Sequence, residues 1–155
     1  MALEAKVLTV SDSVDAGDRV DATGPAVVSA LQAYGFMVID RRVCPDGVAP
    51  VTTALVALSA SFYGLVLTAG GTGFAPTDLT PEATRSVLDR QAPGLAEAAR
   101  ASSPLGRLTR GVAGTVGTCL IVNLPGSVAG AVESLDAIAR VLPHALELLG
   151  GSRPH

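Results

Sequence analysis

Four short runs of aliphatic and β-branched residues each end in side chains suited to chemistry on phosphate. Lys6–Val10 runs into Ser11-Asp12-Ser13, and Phe36–Ile39 is followed by Pro45-Asp46-Gly47. Leu65–Thr68 leads into Gly70-Gly71-Thr72-Gly73 with Asp78 close behind, and Cys119–Val122 leads to Pro125-Gly126-Ser127. Three of these loops carry an aspartate and two place glycine beside a hydroxyl. Glycines at this density let backbone come close to a ligand or adopt positive φ, and main-chain N–H groups ahead of a helix start favour an anion such as phosphate. Carboxylates next to a phosphate repel it unless a cation lies between them. Asp46 and Asp78 therefore point to Mg2+, which takes one or two carboxylates together with substrate phosphate oxygens. The set suits phosphoryl or nucleotidyl transfer.

Taken singly, several pieces have a plainer reading. Pro45-Asp46-Gly47 is an ordinary turn sequence, and Asp12 and Ser13 suit a helix cap or turn as well as a ligand. Arg107 and Arg110 fit solvated surface, or the positive charge that a phosphate needs in an acidic chain. His144, next to Pro143, reads as packed or capping rather than catalytic.

The elements that must position these loops follow from periodicity. The four apolar runs read as strands. Thr23–Tyr34 places Val27, Leu31 and Tyr34 on one helical face, with Gly35 as the stop. A second helix is expected over Pro50–Ala60 with Leu55 and Leu58 inward. A third starts at Thr80, with Pro81 in its first position and Glu82 in its first turn. Another helical piece runs from Pro93 to Arg100. From Ser127, Leu135, Ile138, Leu142, Leu146 and Leu149 recur at helical spacing, with a bend expected near Pro143. Arg107–Thr118, punctuated by Gly111, Gly114 and Gly117, reads as a glycine-rich hairpin beside the last strand. Strands alternating with helices imply a three-layer α/β/α fold on a mostly parallel sheet, here with an antiparallel edge. Ligands in such sheets bind beyond the carboxyl ends of the strands, where all four loops fall.

Composition narrows the function. At 155 residues and 48% hydrophobic content, a single domain over 1–155 is expected. No apolar run reaches the roughly 18 residues that a membrane helix needs, and Met1–Lys6 has no secretory pattern, so a cytoplasmic protein that avoids membranes is expected. Lys6 is the only lysine, which removes a Walker-type phosphate loop. Cys44 and Cys119 lie far apart and read as reduced, buried thiols. Aromatic content of 3% and a net charge of -3 offer nucleic acid neither a stacking platform nor a basic stripe.

Thr68-Ala69-Gly70-Gly71-Thr72-Gly73, Asp78-Leu79-Thr80-Pro81-Glu82-Ala83-Thr84, Pro93-Gly94-Leu95-Ala96-Glu97 and Asn123-Leu124-Pro125-Gly126-Ser127 stand in one order. Together they resemble the MogA/MoaB family of molybdenum-cofactor biosynthesis, from Val10–Ser13 through Leu142–Leu149. The resemblance implies a trimer-forming α/β domain that binds molybdopterin. In the MogA branch it also implies ATP with Mg2+, adenylylation of the pterin's terminal phosphate and release of pyrophosphate. By position, Asp46 and Asp78 match the family's two functional carboxylates, tied to metal and catalysis. Gly70, Gly71, Thr72 and Gly73, with Pro125, Gly126 and Ser127, match the segments around pterin and phosphate, and Ser11, Asp12 and Ser13 match the first-strand loop of the same pocket. Arg110 is the candidate phosphate-binding cation. A homotrimer, a hexamer built from two trimers, and hand-over to a molybdenum-insertion protein are the implied assemblies.

Two residues depart from the family pattern. Thr77 stands where arginine commonly precedes the aspartate, and Ala69 where a second threonine is common. Both leave open a paralogue of the MoaB type that binds pterin without transferring AMP.

Overall fold

In a computed structural model describing residues 2–151, the first four expected strands lie side by side and parallel. The elements run β1 (Leu3–Val10), α1 (Asp12–Asp15), α2 (Thr23–Ala33), β2 (Phe36–Cys44), α3 (Val48–Ser59) and β3 (Gly64–Ala69). They continue with α4 (Thr80–Val87), β4 (Arg90–Gln91), α5 (Pro93–Arg100), a 3-10 turn (Pro104–Leu108), β5 (Ala113–Val116), β6 (Cys119–Leu124), α6 (Val128–Ile138), a second 3-10 turn (Ala139–Val141) and α7 (Leu142–Leu149). The sheet order is β2-β1-β3-β6-β5-β4. β1 pairs in parallel with β2 and β3, β3 pairs in parallel with β6, and β5 is antiparallel to both β6 and β4.

Side chains alternate across the sheet, and the alternation divides the core. Ala5, Val7, Leu65, Leu67, Leu120, Val122 and Leu124 pack under α2, α5, α6 and α7. Leu8, Val10, Val66, Cys119 and Ile121 pack under α3 and α4. Covered on both faces, β3 and β6 are buried along their whole length, as parallel strands in such layers must be. Each fully buried Leu or Ile contributes about 1.5–3 kcal/mol relative to exposure. The fold is thus the three-layer α/β sandwich with an antiparallel edge. No helix among the described residues is long and apolar enough to cross a membrane.

Three local expectations need correcting. Tyr34 does not join Val27 and Leu31 in the core: it follows the last turn of α2, 40% exposed, and donates its hydroxyl to Asp136 at 2.8 Å. The second helix starts two residues early, at Val48, behind Gly47 in a positive-φ conformation. The hairpin is confined to β5 and β6, because Arg107 belongs to the 3-10 turn. The outermost strand is β4, only two residues long. The C-terminal bend lies near Pro143 as expected: the second 3-10 turn spans Ala139–Val141, and Pro143 sits in the first turn of α7, where its missing N–H costs little.

The order β2-β1-β3 also places a crevice at one edge of the sheet. From β1 the chain crosses through α2 to one side, and from β2 it returns through α3 to the other, so the loops after β1 and β3 diverge. That divergence opens a crevice at their carboxyl ends, the usual ligand position in open α/β sheets.

Candidate active site

The glycine loop is built from backbone that tolerates no side chain. Gly70 (φ 108°) and Gly71 (φ 68°) lie in the left-handed region. A Cβ on Gly70 would fall on the Val10 carbonyl, and one on Gly71 would strike Thr80 Oγ1. This close approach stitches three elements. Gly70 N–H donates to Leu124 O at 3.1 Å, Thr80 N–H donates to Gly71 O at 3.0 Å, and Thr80 Oγ1 donates to Gly70 O at 3.0 Å. Beneath them Asn123 donates its amide to Thr68 Oγ1 at 2.9 Å and Thr84 Oγ1 at 3.0 Å, while its oxygen accepts from Val112 N at 3.1 Å. A buried polar cluster satisfied this fully holds the ends of β3, β6 and α4 in one arrangement.

Two cavities meet on this loop. The first, about 510 Å3, is lined by Gly71, Thr72, Gly73, Asp78, Pro125, Gly126 and Ser127, with α5, the first 3-10 turn and α6 closing its far side. The second, about 550 Å3, lies over the crevice between β1 and β3 and is lined by Ser11, Arg19, Asp21, Asp46, Gly70, Gly71, Asp78, Gly126 and Ser127. Gly71, Asp78, Gly126 and Ser127 form the shared wall. Ser127 also caps α6, its Oγ accepting from Gly130 N at 3.1 Å, so the start of that helix faces both cavities.

The carboxylates converge as their spacing after the strands predicts. Asp12 and Asp46 exchange bonds: Asp12 N–H donates to Asp46 Oδ2 at 3.1 Å, and Asp46 N–H donates to Asp12 Oδ1 at 2.9 Å. Burial holds the Asp46 carboxyl above its usual range. The Asp12 amide opposes that shift, and the charges of Asp12 and Asp78 add to it. Asp78 accepts from Ala75 N at 2.9 Å, and a Cβ on Gly73 would lie only 2.8 Å from Asp78 Oδ2. Ser11 Oγ caps α1, accepting from Val14 N at 3.3 Å, and lies 3.2 Å from Ser13 Oγ. Asp12 and Ser13 line neither cavity, and Asp12 reaches the site through Asp46. Arg110 also stands apart, on a third cavity that it shares with Arg85 and Arg100.

Asp21, Asp46, Asp78 and Glu133 line the two cavities, whereas Arg19 is the one cation lining them among the described residues. A phosphate ligand entering this field would meet like charges that a cation beside it would offset. Among the described residues no group of three or more His, Cys, Asp or Glu side chains could hold a metal. Two carboxylates completed by substrate phosphate oxygens is, however, the usual Mg2+ arrangement, and relief of the repulsion around Asp46 favours it. The donor set fits.

Sequence reasoning missed Arg19, Asp21, Glu133 and the wall from Ser102 to Leu108. Asp21 accepts from Thr9 Oγ1 at 2.8 Å and Gly24 N at 2.9 Å, and pairs with Arg41 at 3.0 Å. The carboxylate three residues before Gly24 was a legible capping signal; the 3-10 wall carried none.

Fold and crevice define the class of open-sheet α/β domains that bind their ligands at the carboxyl edge of a parallel sheet. Within it, residues 6–144 match the family model described as a probable molybdopterin binding domain, and the chain belongs to that molybdenum-cofactor biosynthesis family. The structure of MoaB from Thermus thermophilus superposes with a TM-score of 0.90 at 46% identity, covering 97% of this chain and 98% of that one. A molybdopterin adenylyltransferase of Helicobacter pylori strain J99 is 32% identical, over 94% of this chain and 87% of its own. Gephyrin of Dictyostelium discoideum is 35% identical over 96% of this chain, which spans only 22% of gephyrin's length.

Proposed function

We propose that this chain is a molybdopterin adenylyltransferase, using ATP and Mg2+ to adenylylate the terminal phosphate of molybdopterin. The observation that carries the reading is the pair of cavities joined along Gly71, Asp78, Gly126 and Ser127, with Asp46 beside the join. Two substrates seated there would meet along that wall. The first cavity, walled by Ala99, Leu105, Leu108 and Pro125 with Ser102 and Glu133 as polar points, suits a flat pterin. The second, with Arg19 and Ser11, suits the nucleotide phosphates.

In the reaction a pterin phosphate oxygen forms a bond to the α-phosphorus of ATP. The bond from that phosphorus to the bridging oxygen breaks, and pyrophosphate leaves. The attacking oxygen is already ionised, so no side chain need remove a proton. The chain's task is to align the reacting groups and match their charge. The amides of Gly71–Gly73 and of the α6 start bind phosphate oxygens, and Asp46 and Asp78 hold the cation. Mg2+ held there would supply charge neutralisation at the phosphates.

The test is pyrophosphate release on adding molybdopterin to protein with ATP and Mg2+. Asp46→Asn and Asp78→Asn should each lower the rate by about 10²-fold or more, with molybdopterin binding, read by fluorescence quenching, preserved. Unchanged turnover in Asp78→Asn would overturn its role. Thr77, exposed and uncharged before Asp78, favours a second reading, a pterin-binding carrier without transferase activity. Binding with no release in the wild type would select that reading. The same proposal includes a homotrimer, or two trimers, and hand-over to an insertion protein. Light scattering at one chain mass would remove the trimer.

A further inference from the structure

We propose that Arg110 is a positioning residue that holds the Asp78 loop from behind, rather than a cation that grips substrate phosphate. This rests on the adenylylation reading and deepens it. The guanidinium is already committed. Nε donates to Gly73 O at 2.9 Å, and Nη2 donates to Asp78 O at 2.6 Å. Nη1 and Nη2 also grip Glu82 Oε2 and Oε1, both at 2.9 Å. Four of its five N–H donors are engaged. The main-chain N–H of Arg110 donates to Thr72 O at 2.7 Å. One residue from the lead into β5 thus holds the carbonyls of Thr72, Gly73 and Asp78, at both ends of the segment that presents the Asp78 carboxylate. Glu82, in the first turn of α4, fixes the guanidinium plane from the other side, so the loop is tied to the helix that follows it. Arg110 lines neither site cavity. A lysine in its place carries the charge but lacks the planar fork that meets a carboxylate and two carbonyls together.

The test compares Arg110→Lys and Glu82→Gln with the wild type, following pyrophosphate release against Mg2+, ATP and molybdopterin, and amide hydrogen exchange over residues 70–80. A positioning role predicts that both variants raise the Mg2+ concentration for half-maximal rate by about tenfold or more. The KM for ATP should rise less than the Mg2+ requirement and by a similar factor in both variants, and the amides of the loop should exchange faster. Glu82→Gln is the gentler change and covers the case in which Arg110→Lys fails to fold. A raised KM for ATP at unchanged Mg2+ dependence, seen in Arg110→Lys but not Glu82→Gln, would instead make Arg110 a phosphate ligand and overturn the proposal. So would loop exchange that neither variant changes. Exchange needs no turnover, so a wild type that releases no pyrophosphate counts against the transferase reading, and the loop data still decide the role of Arg110.

Discussion

Asp46 takes part in two opposed interactions: its oxygens accept a hydrogen bond from the Asp12 amide, yet burial and the Asp12 and Asp78 charges disfavour its ionised form. A carboxyl raised in the folded chain binds its proton more readily there than when unfolded. Its contribution to stability is therefore full below the ordinary carboxylate range and is lost as pH rises through the raised value. In metal-free protein near neutral pH, Asp46→Asn should then raise the Tm by about 1–3 °C, after discounting the repulsion for solvent screening. That gain should vanish in acid, where the wild-type carboxyl is protonated. With ATP and saturating Mg2+ the order should reverse, because only the wild type gains the cation. Thermal unfolding with and without Mg2+ measures all three, and a destabilised metal-free Asn variant near neutral pH would mean that the bond from Asp12 outweighs the repulsion.

Among the elements, the loop between β3 and α4 concentrates the close backbone contacts that shape the site. Gly71→Ala forces an L side chain into positive φ and into Thr80 Oγ1, whose hydroxyl bonds the neighbouring Gly70 carbonyl. The expected loss is about 1–3 kcal/mol, seen in urea unfolding, with pyrophosphate release falling further than stability because the loop's amides move. Gly17→Ala is the control: φ is also positive, but a Cβ there meets nothing within 4 Å. Equal losses at both sites would show that strain alone, not collision, sets the cost. This loop was legible in sequence because glycine density, Pro81 at the helix start and Asp78 are local signals. The first 3-10 turn and the tie from Arg110 to Glu82 were not, since that partnership spans 28 residues and no local pattern encodes it. Tyr34 misled for a related reason: helical spacing placed it inward, but the helix ended first and its hydroxyl found Asp136. Strands and helices could be read from periodicity, whereas the walls made by tertiary contact could not.

For the whole molecule, the two cavities share the wall of Gly71, Asp78, Gly126 and Ser127. A ligand that binds only the folded chain raises its stability by RT ln(1 + [L]/Kd), about 2.7 kcal/mol at a hundredfold excess over Kd, or roughly 5–10 °C in Tm for a domain of this size. On the proposed reading, molybdopterin in the first cavity would touch Asp78 and Ser127, which also line the second, so each ligand should alter the other's affinity by the same factor. The sign follows from charge. Without Mg2+ the phosphates of ATP in the second cavity would face Asp46, Asp78 and Asp21 with Arg19 alone beside them, and a second phosphate across the wall would add repulsion. With Mg2+ held by the carboxylates, the same phosphates would serve as its further ligands. Combined Tm shifts from a non-hydrolysable ATP analogue and molybdopterin should therefore fall short of their sum without Mg2+ and match or exceed it with Mg2+. In Asp78→Asn that dependence on Mg2+ should disappear while the molybdopterin shift remains. Additive shifts under every condition would mean that the ligands do not meet along the shared wall, and in-line transfer between them would lose its structural basis.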